Sequence, residues 1–141
     1  GKTGGAYTAS EITIDTSRKV EVQFVAANNA TMPWDFYPTE HKVFVHPGES
    51  RKVTFFARNK TGNDMVAQAI PNVLPNNAAD YFHKTECFCF NSQPLGAGQE
   101  AELDVVFILD PDLPISVNTV TLSYTLFDIT DRVAMQVSQI Q

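Results

Sequence analysis

Cys87-Phe88-Cys89-Phe90 holds the only two cysteines of this 141-residue chain, one residue apart. In an extended segment, alternate side chains point to opposite faces. Both sulfurs would then lie on one face and both rings on the other. Extended residues i and i+2 sit roughly 6.5–7 Å apart at Cα. That is the outer limit for a disulfide, which normally spans about 4.4–6.8 Å. A Cys87–Cys89 disulfide would be strained and easily reduced, whereas two thiolates on a common face can clasp a soft ion. Thiolates select Cu(I), zinc or iron–sulfur centres. Structural zinc wants four ligands and a cluster wants four sulfurs. Two cysteines and three scattered histidines supply neither, so Cu(I), which accepts two or three ligands, is the ion this pair suits. The competing reading is that both cysteines are small buried hydrophobes.

Other candidates surround the motif. His83 shares the parity of Cys87 and Cys89 if residues 83–89 are all extended, which would make it an auxiliary ligand or proton acceptor; a surface histidine beside a loop is the plainer reading. Lys84 and Glu86 take the opposite parity, as solvated strand charges or a docking rim. His41 and His46 flank a short strand and read as solvated. Met32, Met65 and Met135 read as core or surface fillers. Trp34, Phe36 and Tyr37 read as a packed aromatic corner. Enzyme signatures are missing: no serine elbow, no Gly-rich phosphate loop, no His-Glu-x-x-His helix. The chain is therefore expected not to be an enzyme.

The elements that must position the motif are nearly all strands. Alternation or apolar runs mark Glu11–Thr16, Val20–Val25, His41–Val45, Arg51–Ala57, Met65–Ile70, Ala101–Leu109 and Asn118–Ile129. In the last, Val120, Leu122, Tyr124 and Leu126 oppose Thr119, Thr121, Ser123 and Thr125. Met32–Pro38 is aromatic and bracketed by prolines, as an edge or irregular strand is. Pro47-Gly48, Asn59–Asn63, Leu95–Gly98 and Asp110–Pro114 are turn signals. Asn76–Asp80 reads as one helical turn and Asp131–Met135 as a short helix. Seven to eight strands at this spacing predict an all-β, immunoglobulin-like antiparallel β-sandwich. Residues 1–10 form an extended lead-in, 11–130 the sandwich and 131–141 a tail.

Composition supports one domain. Hydrophobic residues make up 43% of the chain, enough for a core. Ten basic against sixteen acidic residues give −6, with no basic run to track a phosphate backbone, so nucleic acid is not an expected partner. No apolar run reaches the roughly 20 residues of a membrane-spanning helix. The chain opens on Gly1 without Met, as a piece of something longer does.

Tyr81-Phe-His-Lys-Thr-Glu-Cys-Phe-Cys-Phe90, followed by Gln93-Pro-Leu95, resembles the signature of the CtaG-type cytochrome c oxidase assembly factors. Met32-Pro-Trp-Asp-Phe36, Pro47-Gly-Glu49, Asn72-Val73, Asp110-Pro111 and Thr121-Leu-Ser-Tyr-Thr125 agree in order, so the resemblance spans residues 20–127. It implies a copper chaperone for the CuB centre of oxidase subunit I, with Cys87 and Cys89 as Cu(I) ligands. It further implies a copper-donor protein, a copper-bridged homodimer and one N-terminal membrane helix preceding Gly1. The soluble domain would face the periplasm, or the intermembrane space in a mitochondrion. A cysteine usual just after that helix would precede Gly1 as well. His83 stands where the family commonly has Asn, and Leu103 where it often has Met. Two rivals remain: a thiol–disulfide protein cycling Cys87/Cys89, and an interaction domain with the Trp34 region as its patch and both cysteines buried.

Overall fold

The computed structural model describes residues 13–87 and 92–133. In chain order the elements are β1 (Val20–Asn28), β2 (Asp35–Pro38), β3 (Lys42–Val45), β4 (Ser50–Arg58) and β5 (Met65–Leu74). A 3₁₀ helix (Asn76–Tyr81) follows, then β6 (Phe82–Cys87), β7 (Gln93–Leu95), β8 (Glu100–Leu109) and β9 (Thr119–Asp128). A helical turn opens at 130–133. The strands form two sheets, β3-β1-β9-β5-β7 and β2-β4-β8-β6, and make an all-β sandwich.

Alternation explains which side chains fill it. On β9, Val120, Leu122, Tyr124 and Leu126 are buried, and Thr121, Ser123 and Thr125 take the other face. Val53, Phe55 and Ala57 of β4 do the same from the opposite sheet, with Val105, Phe107 and Leu109 of β8. The centre is aromatic. Phe24 meets Phe55 and Phe107 edge-on at ring-centroid distances of 6.4 and 5.9 Å, and Phe55 meets Tyr124 at 5.2 Å. A fully buried phenylalanine contributes about 1.5–3 kcal/mol by removal from water.

Four details differ from the sequence expectation. Nine strands are described rather than seven or eight. β1 and β9 pair in parallel, Glu21 opposite Thr119 through Asn28 opposite Leu126, within an otherwise antiparallel arrangement. The expected Glu11–Thr16 strand is not formed at 13–16, where the Asp15 carboxylate instead accepts from the Ser17 amide (3.1 Å) and hydroxyl, a local turn that competes with a ladder. β5 runs through Pro71 to Leu74 rather than stopping at Ile70. β7 pairs only with Met65–Ala67, so past Ala67 β5 is an edge, where proline is tolerated.

The other punctuation holds. Gly48 (φ 89°) and Gly98 (φ 75°) adopt the left-handed conformation their turns require. Pro38 ends an edge strand, and the 3₁₀ helix covers the expected helical turn. Asp110 stops β8 by turning the chain, its carboxylate accepting from the Asp112 amide at 2.9 Å.

Candidate metal site

β6 is the outer strand of the four-stranded sheet and β7 the outer strand of the five-stranded one. The segment between them therefore crosses from one sheet to the other at the side of the sandwich where both end. Cys87 is the last residue of β6, its backbone opposite Val105 of β8. Cys89, with Phe88 and Phe90, lies outside the described residues.

Both approaches to this crossing are anchored. On the entry side, Phe82 is buried and stacks on Phe107, with centroids 5.0 Å apart and planes 13° apart. Beside it, His83 Nε2 and Asp110 Oδ2 lie 3.1 Å apart, with side chains 11% and 2% exposed. The Asp110 amide donates to the Tyr81 carbonyl at 2.8 Å. On the exit side, Asn59 is fully buried. Its Nδ2 donates to the carbonyls of Asn63 (2.7 Å), Leu95 (3.0 Å) and Gly96 (3.2 Å). Its Oδ1 accepts from the Thr61 amide (3.1 Å) and hydroxyl (2.7 Å). Asn59 thus ties the β4–β5 loop to β7, the strand that receives the chain after the cysteines.

The ladder between β6 and β8 is interrupted by a bulge. Lys84 is opposite Phe107 and Glu86 is opposite Val106, so Thr85 is an extra residue; its hydroxyl donates to the Val106 carbonyl at 3.3 Å. The expected shared parity of His83, Cys87 and Cys89 requires an unbroken extended run over 83–89, and the bulge interrupts that run at Thr85; Cys89 itself lies outside the described residues. In the ladder His83 is opposite Ile108 and the backbone of Cys87 is opposite Val105. The His83 ring is engaged with Asp110.

The remaining candidates fall as follows. Lys84 and Glu86 are exposed, as solvated strand charges are. His41 is exposed as expected. His46 is not simply solvated: it is half-buried, with Nδ1 2.7 Å from the Arg18 carbonyl oxygen. Met32 is a core residue, Met65 is half-buried and accepts from the Thr61 hydroxyl at 3.6 Å, and Met135 lies outside the described residues. Trp34 and Phe36 are packed inside the aromatic corner. Tyr37 is 49% exposed, with its ring 5.1 Å from that of Phe56. Among the described residues no three His, Cys, Asp or Glu side chains gather into a metal site.

Sequence reasoning missed Asp110 as a partner of His83 and Asn59 as the anchor of β7. Both belong to turn signals, and turn residues are expected to bond locally. The only hint was that Asn59 and Asp110 each begin a turn directly after a long apolar strand, where a side chain can lie buried.

A family model described as cytochrome c oxidase assembly protein CtaG/Cox11 matches residues 1–128. The chain belongs to this family. Over 121 residues it is 34% identical to the mitochondrial cytochrome c oxidase assembly protein COX11 of Saccharomyces cerevisiae, covering 82% of this chain and 40% of that protein. It is 38% identical over 132 residues to CtaG of Sinorhizobium medicae, covering 90% and 66%. It is 39% identical over 125 residues to CtaG of Brucella canis, covering 85% and 61%. The chain thus spans between 40% and 66% of the length of these relatives. No helix among the described residues is long and apolar enough to cross a membrane.

Proposed function

We propose that this chain serves in cytochrome c oxidase assembly as a Cu(I) carrier, delivering copper to the CuB centre of oxidase subunit I rather than catalysing a reaction. The relatives are named as oxidase assembly proteins, which supports the broad role. The observation that carries the metal reading is the placement of Cys87. It ends an edge strand at the crossing between two sheet edges, with Cys89 two residues on. The border of a sandwich is a place where another protein can dock without opening the core. The donor set fits the cargo: two thiolates hold Cu(I) below four-coordination. An undersaturated ion stays open to a ligand from an acceptor, so transfer proceeds through shared-ligand intermediates. A second copy would complete the sulfur set between deliveries, a copper-bridged homodimer loaded by a donor protein. The site would be presented on the periplasmic or intermembrane-space side by a preceding membrane helix.

The test is an anaerobic Cu(I) titration of the reduced protein against a competing chelator, with molecular size followed alongside. About one copper per chain, lost on Cys87→Ala or Cys89→Ala with thermal unfolding unchanged, is the expected result. Cysteine variants that unfold in the absence of metal would show the sulfurs to be packing groups instead.

A further inference from the structure

We propose that the outer face of the β2-β4-β8-β6 sheet is a docking surface for an arginine-bearing segment of another protein, held over the Tyr37–Phe56 ring pair and beside the Glu102 and Asp104 carboxylates. The strand register puts these groups together. Tyr37 of β2 is opposite Phe56 of β4, and Phe56 is opposite Glu102 of β8. Two residues along β4, Thr54 is opposite Asp104. Directly opposed residues share a face. On these three strands it is the face turned away from the core, into which Phe36, Phe55 and Leu103 are buried.

Two features distinguish this face from an ordinary solvated one. The Tyr37 ring is 49% exposed and rests against Phe56, with centroids 5.1 Å and planes 36° apart. Exposed aromatic rings are the groups that protein interfaces concentrate at their centres. Beside the rings, the Glu102 and Asp104 side chains are exposed, and among the described residues neither makes an ion pair. Asp104 accepts from the Thr54 hydroxyl at 2.7 Å, which holds its carboxylate against the sheet. Asp35, next on the same face, is already matched to Lys60 at 3.0 Å. Arg58 stands opposite Glu100, which offsets it, and Lys52 lies toward the other end of β4, opposite Val106.

Charge decides the occupant. A ring face and a carboxylate side by side both attract a cation. A guanidinium satisfies both at once, because its plane stacks on a ring while its N–H groups donate to the carboxylate. An acidic segment would be repelled by Glu102 and Asp104, and a second copy of a chain carrying −6 would be repelled as a whole. The same net charge draws a basic partner in from a distance. β6, the strand that ends at Cys87, belongs to this sheet, so a segment held here lies on the sheet that leads into the cysteine crossing. The docking itself requires no copper.

The test is a titration of the metal-free, isotope-labelled chain with a blocked tetra-arginine peptide at low ionic strength, followed by amide NMR. Shifts should cluster at Tyr37, Phe56, Glu102 and Asp104, and affinity should fall as salt is added. Glu102→Gln should weaken binding about fivefold, through loss of the charge-assisted bond. Asp112→Asn removes the same charge from an exposed position in the β8–β9 loop and should change binding less than about twofold. Tyr37→Ser should weaken binding about threefold, and Tyr37→Phe, which keeps the ring face, should not. The replaced side chains are exposed, so thermal unfolding should be unchanged in every variant. Shifts scattered over acidic residues of the whole surface, or equal losses from Glu102→Gln and Asp112→Asn, would mean that net charge alone is at work and overturn the proposal. Equal binding of a tetra-glutamate peptide would overturn it too. So would a chain that ignores the arginine peptide and instead self-associates through Tyr37, since the face would then belong to a second copy.

Discussion

Replacing Asn59 by Ala tests how far the exit of the cysteine segment depends on one buried amide. The side chain is fully buried and makes five contacts within hydrogen-bonding distance, to the Asn63, Leu95 and Gly96 carbonyls and to the Thr61 amide and hydroxyl. The amide nitrogen carries only two hydrogens, so its three contacts amount to about two full bonds. With the two bonds to Oδ1, about four are lost, each contributing roughly 1 kcal/mol net. The Thr61 and Asn63 groups lie toward solvent and recover part of this from water. The expected loss is about 3 kcal/mol, which for a domain of this size lowers the melting temperature by about 10 °C. Urea and thermal unfolding measure it, and hydrogen exchange localises it to β7 and the loop of residues 59–64. Cu(I) affinity should fall as well, because β7 receives the chain directly after the cysteines. A melting temperature within about 3 °C of wild type would refute the claim that this amide is a principal anchor.

Three further outcomes are expected. Phe107→Ala removes a ring stacked on Phe82 and edge-on to Phe24, and should cost about 3–5 kcal/mol in denaturant unfolding. Cu(I) affinity should fall steeply as pH drops below the usual thiol range, by up to about two log units per pH unit if both thiols release a proton on binding, and should level off above it; a pH-independent affinity would exclude thiolate ligation. The Ser17 hydroxyl and then the Ser17 amide hold the Asp15 carboxyl below the usual carboxylate range. The lowered value means that this group favours the folded state at neutral pH and loses that contribution as pH falls through its folded pKa. Ser17→Ala should therefore move the Asp15 titration upward by NMR.

Strand content and the inward residues of β4, β8 and β9 were legible in the chain because burial of one sheet face imposes a period of two. The turns were legible because Gly48, Gly98, Pro38 and Asp110 carry their conformational reasons in their own chemistry. Cys87 and Cys89 stood out because soft-metal chemistry needs sulfur and the chain has no other cysteine. Alternation assigns faces but not strand direction, so the parallel β1–β9 pair was decided only when the first and last described strands met. It also assumes an unbroken ladder. The surplus residue at Thr85 appears only against β8. The His83–Asp110 contact joins residues 27 apart, and the bonds from Asn59 to Leu95 and Gly96 join residues 36 and 37 apart. Local propensity contains no term for such distances; they are settled by which strands the packed sandwich brings side by side.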